Sequence, residues 1–190
     1  MQKVKHHFIH INKTAGSSVI EWFKQNKYPI INRDTHAVPK IFSKDTVYFT
    51  VIRHPYERTL SQFLHWQKNL GRIKSDLTFQ QYLTVIENPR EWLNDTKYLD
   101  NYRPLYIRPC SDWIPKDKKI LIFRYENLTE LVDYFKNTLN FTKKFPHSQK
   151  TRTSQHSKGL HLYYNPKCYR IVNKIMNDDF KRFGYQKHGC

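Results

Sequence analysis

Near the start of the chain, Asn12-Lys13-Thr14-Ala15-Gly16-Ser17-Ser18 combines the residue types that hold a phosphate or sulfate group. Ala15 and Gly16 let a backbone approach an anion closely. Lys13 adds a point charge, and Thr14, Ser17 and Ser18 add hydroxyl donors. Where such a loop opens a helix, the first amides and the helix dipole also face the anion. The segment is not a Walker A loop. That motif ends in Gly-Lys-Ser/Thr, whereas Lys13 comes three residues before Gly16 and no second glycine is present. An ordinary N-capped strand-to-helix turn fits these residues equally well.

The neighbouring elements must position the loop. Val4 to Ile11 is short and alternating and reads as a strand. Val19, Ile20, Trp22 and Phe23 recur at helical spacing up to about Asn26. Strand, small-residue loop and helix therefore follow one another. Residues 28–32 read as a second short strand and residues 37–42 as a helical turn or two. Thr46 to Ile52, TVYFTVI, is nearly all β-branched or aromatic, as suits a strand buried on both faces of a parallel sheet. Further helices are expected over residues 56–68, 78–86, 128–139 and 166–183, and another strand over residues 119–123. Thr78 is a candidate cap, and Gly184 suits the end of the last helix. Residues 91–112 read as irregular and residues 147–159 as a polar, basic surface loop. This alternation predicts an α/β fold, a P-loop-like three-layer arrangement with a central, mainly parallel sheet flanked by helices. One domain over residues 1–190 is expected, with no repeat and no linker.

Composition narrows the class. Aromatics make up 15% of the chain and must fill much of the core, because Gly is scarce. Lys and Arg number 33 against 16 Asp and Glu, giving a formal charge of +17 and implying an anionic partner. Cys110, Cys168 and Cys190 are odd in number and lack CxxC spacing. That argues against a disulfide framework and a zinc site but leaves one bridge open. The scattered histidines make no metal motif, so no metal is expected. No apolar run reaches the length of a membrane span and no signal-peptide pattern is present. This reads as a cytoplasmic chain as given, or a Golgi-lumen one if an N-terminal anchor preceded it.

HINKTAGSSV at 10–19 resembles the 5′-phosphosulfate loop of the carbohydrate sulfotransferases, the group containing heparan sulfate 2-O-sulfotransferase. VIRHPYERTLSQF at 51–63, IFRYENL at 122–128 and the closing YYNPKCYRIVNKIMNDDFKRFGY at 163–185 continue the resemblance in the family's order. It implies a donor, 3′-phosphoadenosine-5′-phosphosulfate (PAPS), and a product, PAP, with no metal. Lys13 would contact the phosphosulfate and steady the departing oxygen. Thr14, Ala15, Gly16, Ser17 and Ser18 would line the donor. Arg53 and Ser61 would grip the 3′-phosphate, and an Arg at a strand end can indeed meet phosphate bidentately. Pairing of Arg53 with Glu57 is the plain structural alternative. Lys150, Arg152 and Ser154 lie in a loop that related enzymes close over the donor. His36, in RDTHAVPKIF, stands where the 2-O-type enzymes place a catalytic histidine. A neutral His suits deprotonation of an acceptor hydroxyl. His54 is its rival by position, and Arg33 is a candidate for orienting an acidic substrate.

The expected reaction is therefore sulfuryl transfer to a hydroxyl of a carbohydrate, with an anionic glycan favoured by the basic surface. Two other classes compete. A P-loop nucleotide kinase-like phosphotransferase would share the fold but lacks Walker A spacing. A basic nucleic-acid-binding protein would share the charge, but no nucleic-acid motif is present and no nucleic acid is expected as partner.

Overall fold

The computed structural model describes residues 4–31, 37–69, 76–87, 108–146 and 157–189. The chain divides into two compact units: Met1–Arg53 with Asp112–Lys150, and His54–Ser111 with Thr151–Cys190. Each has its own core.

The first unit is built on β1 (Lys5–Ile9), β2 (Thr46–Ile52) and β3 (Ile120–Arg124), which form a parallel sheet in the order β1-β2-β3. Phe8 pairs with Phe49, and Val51 with Phe123. Strand side chains alternate in direction, so these four share one face. Helices α1 (Gly16–Gln25) and α4 (Leu128–Leu139) supply Val19, Trp22, Phe23, Leu131 and Phe135 to the same cluster. The rings make close edge contacts, with centroids 4.8 Å apart for Phe49 and Phe135 and 4.9 Å for Phe23 and Phe135. Each buried Phe contributes roughly 1.5–3 kcal/mol, so this aromatic cluster carries much of the unit's stability. On the other face Ile9, Thr50 and Ile52 are buried as well, as a two-sided parallel strand requires. Thr50 Oγ1 donates to the Ile9 carbonyl at 2.7 Å, so its buried hydroxyl is satisfied.

Within this unit, residues 28–32 and 37–42 differ from the sequence expectation. The strand expected over residues 28–32 reduces to one parallel bridge, His7 with Ile31. Pro29 has no N–H to give a ladder, and Asn32 lies outside the described residues. Residues 37–42 form no helical turn. Pro39 fixes its own backbone and disfavours helix in the residue before it.

In the second unit, α2 (Pro55–Leu64) starts with proline at its first position and runs into a π-helical turn, His65–Asn69. Helix α3 (Phe79–Glu87) is preceded by a capping box, in which the Thr78 hydroxyl accepts from the Gln81 amide and the Gln81 side chain accepts from the Thr78 amide. The single helix expected over residues 166–183 is two, α5 (Pro166–Ile175) and α6 (Asn177–Phe183), separated at Met176 with φ −102° and ψ 20°. Gly184, at φ 65°, ends α6 as expected. Tyr56, Leu60, Phe63, Tyr82, Leu83, Ile171, Val172 and Phe180 fill this core. Cys110 and Cys168 are free, buried thiols, and Cys190 lies outside the described residues.

Asp179 on α6 is 1% exposed and accepts the amides of Cys110 and Ser111, each at 2.7 Å. Asp179→Ala would strand two amides and remove two charge-assisted bonds. A loss on the order of 3–5 kcal/mol in urea unfolding is expected. A change below about 1 kcal/mol would show that water replaces the carboxylate.

Candidate functional site

The loop between β1 and α1 has an unusual backbone. Lys13 and Ala15 both lie in the left-handed region, at φ 64° and 72°, although neither is glycine. Such residues cost free energy and persist where the surroundings over-determine them. Between them Thr14 is fully buried and donates its hydroxyl to the Ile11 carbonyl at 2.7 Å. That hydroxyl therefore shapes the loop, which leaves the Thr14 backbone as its means of meeting a ligand. Gly16 follows because nothing larger fits. A Cβ there would lie 1.8 Å from His10 Nε2 and 2.0 Å from His10 Cδ2. The His10 ring is in turn stacked on Phe8 at 5.4 Å, so it fills the space beside Gly16 from a fixed support.

Helix α1 begins without a side-chain cap. Ala15 occupies the cap position, and the first turn contains no acidic residue. The ordinary N-capped turn, the alternative for this loop, is thus not what the chain forms. The helix start keeps its positive end for an anion. Ser17 is exposed and Ser18 half-buried at that end.

Arg53 is the first residue beyond β2 and is 4% exposed. Its guanidinium carbon lies 4.1 Å from the centroid of the Tyr125 ring, a cation–π contact. Lys13 and Arg53 are close enough to repel each other. Burial, and then the Arg53 charge, push the Lys13 ammonium down from the usual 10.5 to about 8. The first unit therefore gathers two cations and an uncapped helix start at the loop end of a parallel sheet, the position where open α/β folds bind ligands. Such an arrangement neutralises and positions a polyanion.

Ser61 is buried on α2 in the second unit. His54 precedes α2, with its ring packed against Tyr56 at 5.2 Å and Tyr185 at 4.9 Å. His36 and Arg33 lie outside the described residues, as do Lys150, Arg152 and Ser154. Two contributors were missed from sequence. His10 sits at the end of an alternating strand like any other side chain. Tyr125 sits in IFRYENL with nothing in its type or spacing to mark it as a neighbour of Arg53. Among the described residues no three His, Cys, Asp or Glu side chains are grouped to hold a metal.

Residues 5–186 match the family model described as "Sulfotransferase family". Tubulin glycylase 3B of Tetrahymena thermophila is 31% identical over 96 residues, covering 48% of this chain and 8% of that protein. The chain thus spans under a tenth of that relative, and the match carries no argument about activity here. No solved structure matches the chain.

Proposed function

We propose that this chain, which belongs to the sulfotransferase family, transfers a sulfuryl group from PAPS to a hydroxyl of a carbohydrate, leaving PAP. The observation that carries this reading is the pairing of Lys13 with Arg53 beside the uncapped start of α1. The site fits a donor with phosphate groups. Gly16 leaves only a bare backbone beside the helix start, and the charged groups there are cations. One domain over residues 1–190 is proposed with it, since the family match crosses both units.

PAPS supplies the activated sulfuryl group, joined to its 5′-phosphate through a bridging oxygen. The amides of Gly16, Ser17 and Ser18 and the Lys13 ammonium hold the phosphosulfate end. Lys13 stabilises the negative charge that collects on the bridging oxygen as the bond to sulfur breaks. By the family's pattern Arg53, with Ser61 eight residues further on, takes the 3′-phosphate, and Lys150, Arg152 and Ser154 close over the donor. The acceptor oxygen attacks sulfur in line, and His36 takes the acceptor's proton. One sulfur–oxygen bond forms, one breaks, and the phosphate leaves as part of PAP. The +17 charge favours an anionic glycan as acceptor. Among the described residues no helix is long and apolar enough to cross a membrane.

Thermal unfolding with PAP, AMP and ATP tests the proposal. PAP at about 100 times its dissociation constant should stabilise the protein by roughly 2.7 kcal/mol, with AMP weaker at equal concentration. A response to ATP or to nucleic acid without a response to PAP would overturn it, in favour of a kinase-like or a nucleic-acid-binding role.

A further inference from the structure

We infer that Tyr125 is a positioning residue for Arg53: its ring holds the guanidinium so that the in-plane N–H edge faces the 3′-phosphate. Tyr125 then sets affinity for that group without touching it. The inference rests on the reading of Arg53 given above.

The sheet brings the two residues together. β2 and β3 run parallel, and Ile52 with Arg124 is the last pair of the ladder. Arg53 and Tyr125 are the next residue on each chain. Register alone therefore sets them side by side, and the guanidinium lies 4.1 Å from the ring centroid. Tyr125 then enters a 3-10 turn, Tyr125–Asn127, which leads directly into α4 and anchors the ring's backbone.

The chemistry of a guanidinium makes this contact directional. Its five N–H donors lie in one plane, at the edge, and its faces have none. A ring that covers a guanidinium face occupies none of those donors, and it withdraws rotational freedom from a long side chain. The ring also opposes a push. Burial first and then the like charge of Arg53 lower the pKa of Lys13, so the two cations repel each other. The negative face of the aromatic ring attracts the guanidinium and holds it at the site against that repulsion. The ring contact therefore favours the placement of Arg53 in which the two cations converge.

The test compares PAP with AMP, which lacks the 3′-phosphate, by calorimetry on the full chain. Tyr125→Leu should weaken PAP roughly 2- to 30-fold, the range of a partly desolvated cation–π contact. Its AMP affinity should be unchanged, which also establishes that the variant is folded and its 5′-phosphate loop intact. Tyr125→Phe keeps the ring and should bind PAP like the wild type. In Arg53→Lys, where no planar fork remains to be aimed, adding Tyr125→Leu should cost little more. Equal PAP affinity in wild type and Tyr125→Leu would overturn the inference. So would a parallel loss of PAP and AMP, which would make Tyr125 a support for the turn and nothing more. A wild type that binds PAP no better than AMP would overturn the reading of Arg53 itself, and this inference with it.

Discussion

Lys13→Met should give a protein that is more stable and nearly inactive. Lys13 sits partly buried beside another cation, and its pKa is lowered to about 8 by burial and then by Arg53. A displacement of that size corresponds to on the order of 1–3 kcal/mol of destabilisation after allowance for its remaining exposure. Methionine keeps the length and the left-handed backbone at the same cost but carries no charge. The melting temperature of the unliganded protein should therefore rise by on the order of 5 °C. Turnover should fall about 10²- to 10³-fold, the usual consequence of removing one group aimed at developing negative charge. The stabilisation by PAP should shrink with it. A variant of lowered stability would mean that Lys13 is held by attraction in the free protein; one of unchanged turnover would remove it from the mechanism.

The same pKa fixes a pH dependence. In the unfolded chain Lys13 holds its proton to about 10.5, and in the folded chain to about 8. Below about 8 both states are charged and the cost to folding is fully present. Between those values the unfolded state holds more protons, so the Lys13 contribution to stability rises with pH until the cost is gone. Ligand binding runs the other way. A bound phosphosulfate favours the ammonium, so binding near pH 8 takes up a proton, and affinity falls as pH rises past 8. On the proposed reading, function would be carried by a group that the free fold holds at a loss, a common trade at binding sites.

How much of this was legible in the sequence depends on the range of the interaction. β2 and α4 were read at their observed limits, because seven successive β-formers and a clean apolar stripe leave little ambiguity. The break at Met176 was invisible, since Ile175, Met176, Phe180 and Phe183 keep helical spacing through it. Past the break Asp179 reaches the amides of Cys110 and Ser111, a tertiary contact that no local pattern announces. At the site, Lys13 and Gly16 announced themselves by type and order. The reason for Gly16 did not, because it is the His10 ring, held by Phe8. Nor did the partnership of Arg53 with Tyr125, which arises only when β2 and β3 pair in a particular register. Local pattern reveals which residues are chemically able; sheet register decides which of them meet.

That limit bears most on the proposed base. His36→Ala should lower kcat about 10²- to 10⁴-fold, the span of general-base catalysis, and leave PAP affinity unchanged. The bridge between His7 and Ile31 is parallel, so at Ile31 the chain travels toward the end of the sheet that carries the Lys13 loop. His36 follows five residues later in the sequence. A base and Lys13 acting on one reaction make the pH profile of kcat/KM a bell. On this proposal its acidic limb belongs to His36, which must lose a proton to become competent. Its alkaline limb belongs to Lys13 losing the charge that steadies the leaving oxygen, at about 8. The two variants must then dissect the bell. His36→Ala should flatten the acidic limb and keep the alkaline one, whereas Lys13→Arg should carry the alkaline limb out of range and keep the acidic one. An acidic limb that survives in His36→Ala would place the base on another residue, with His54 the first to substitute.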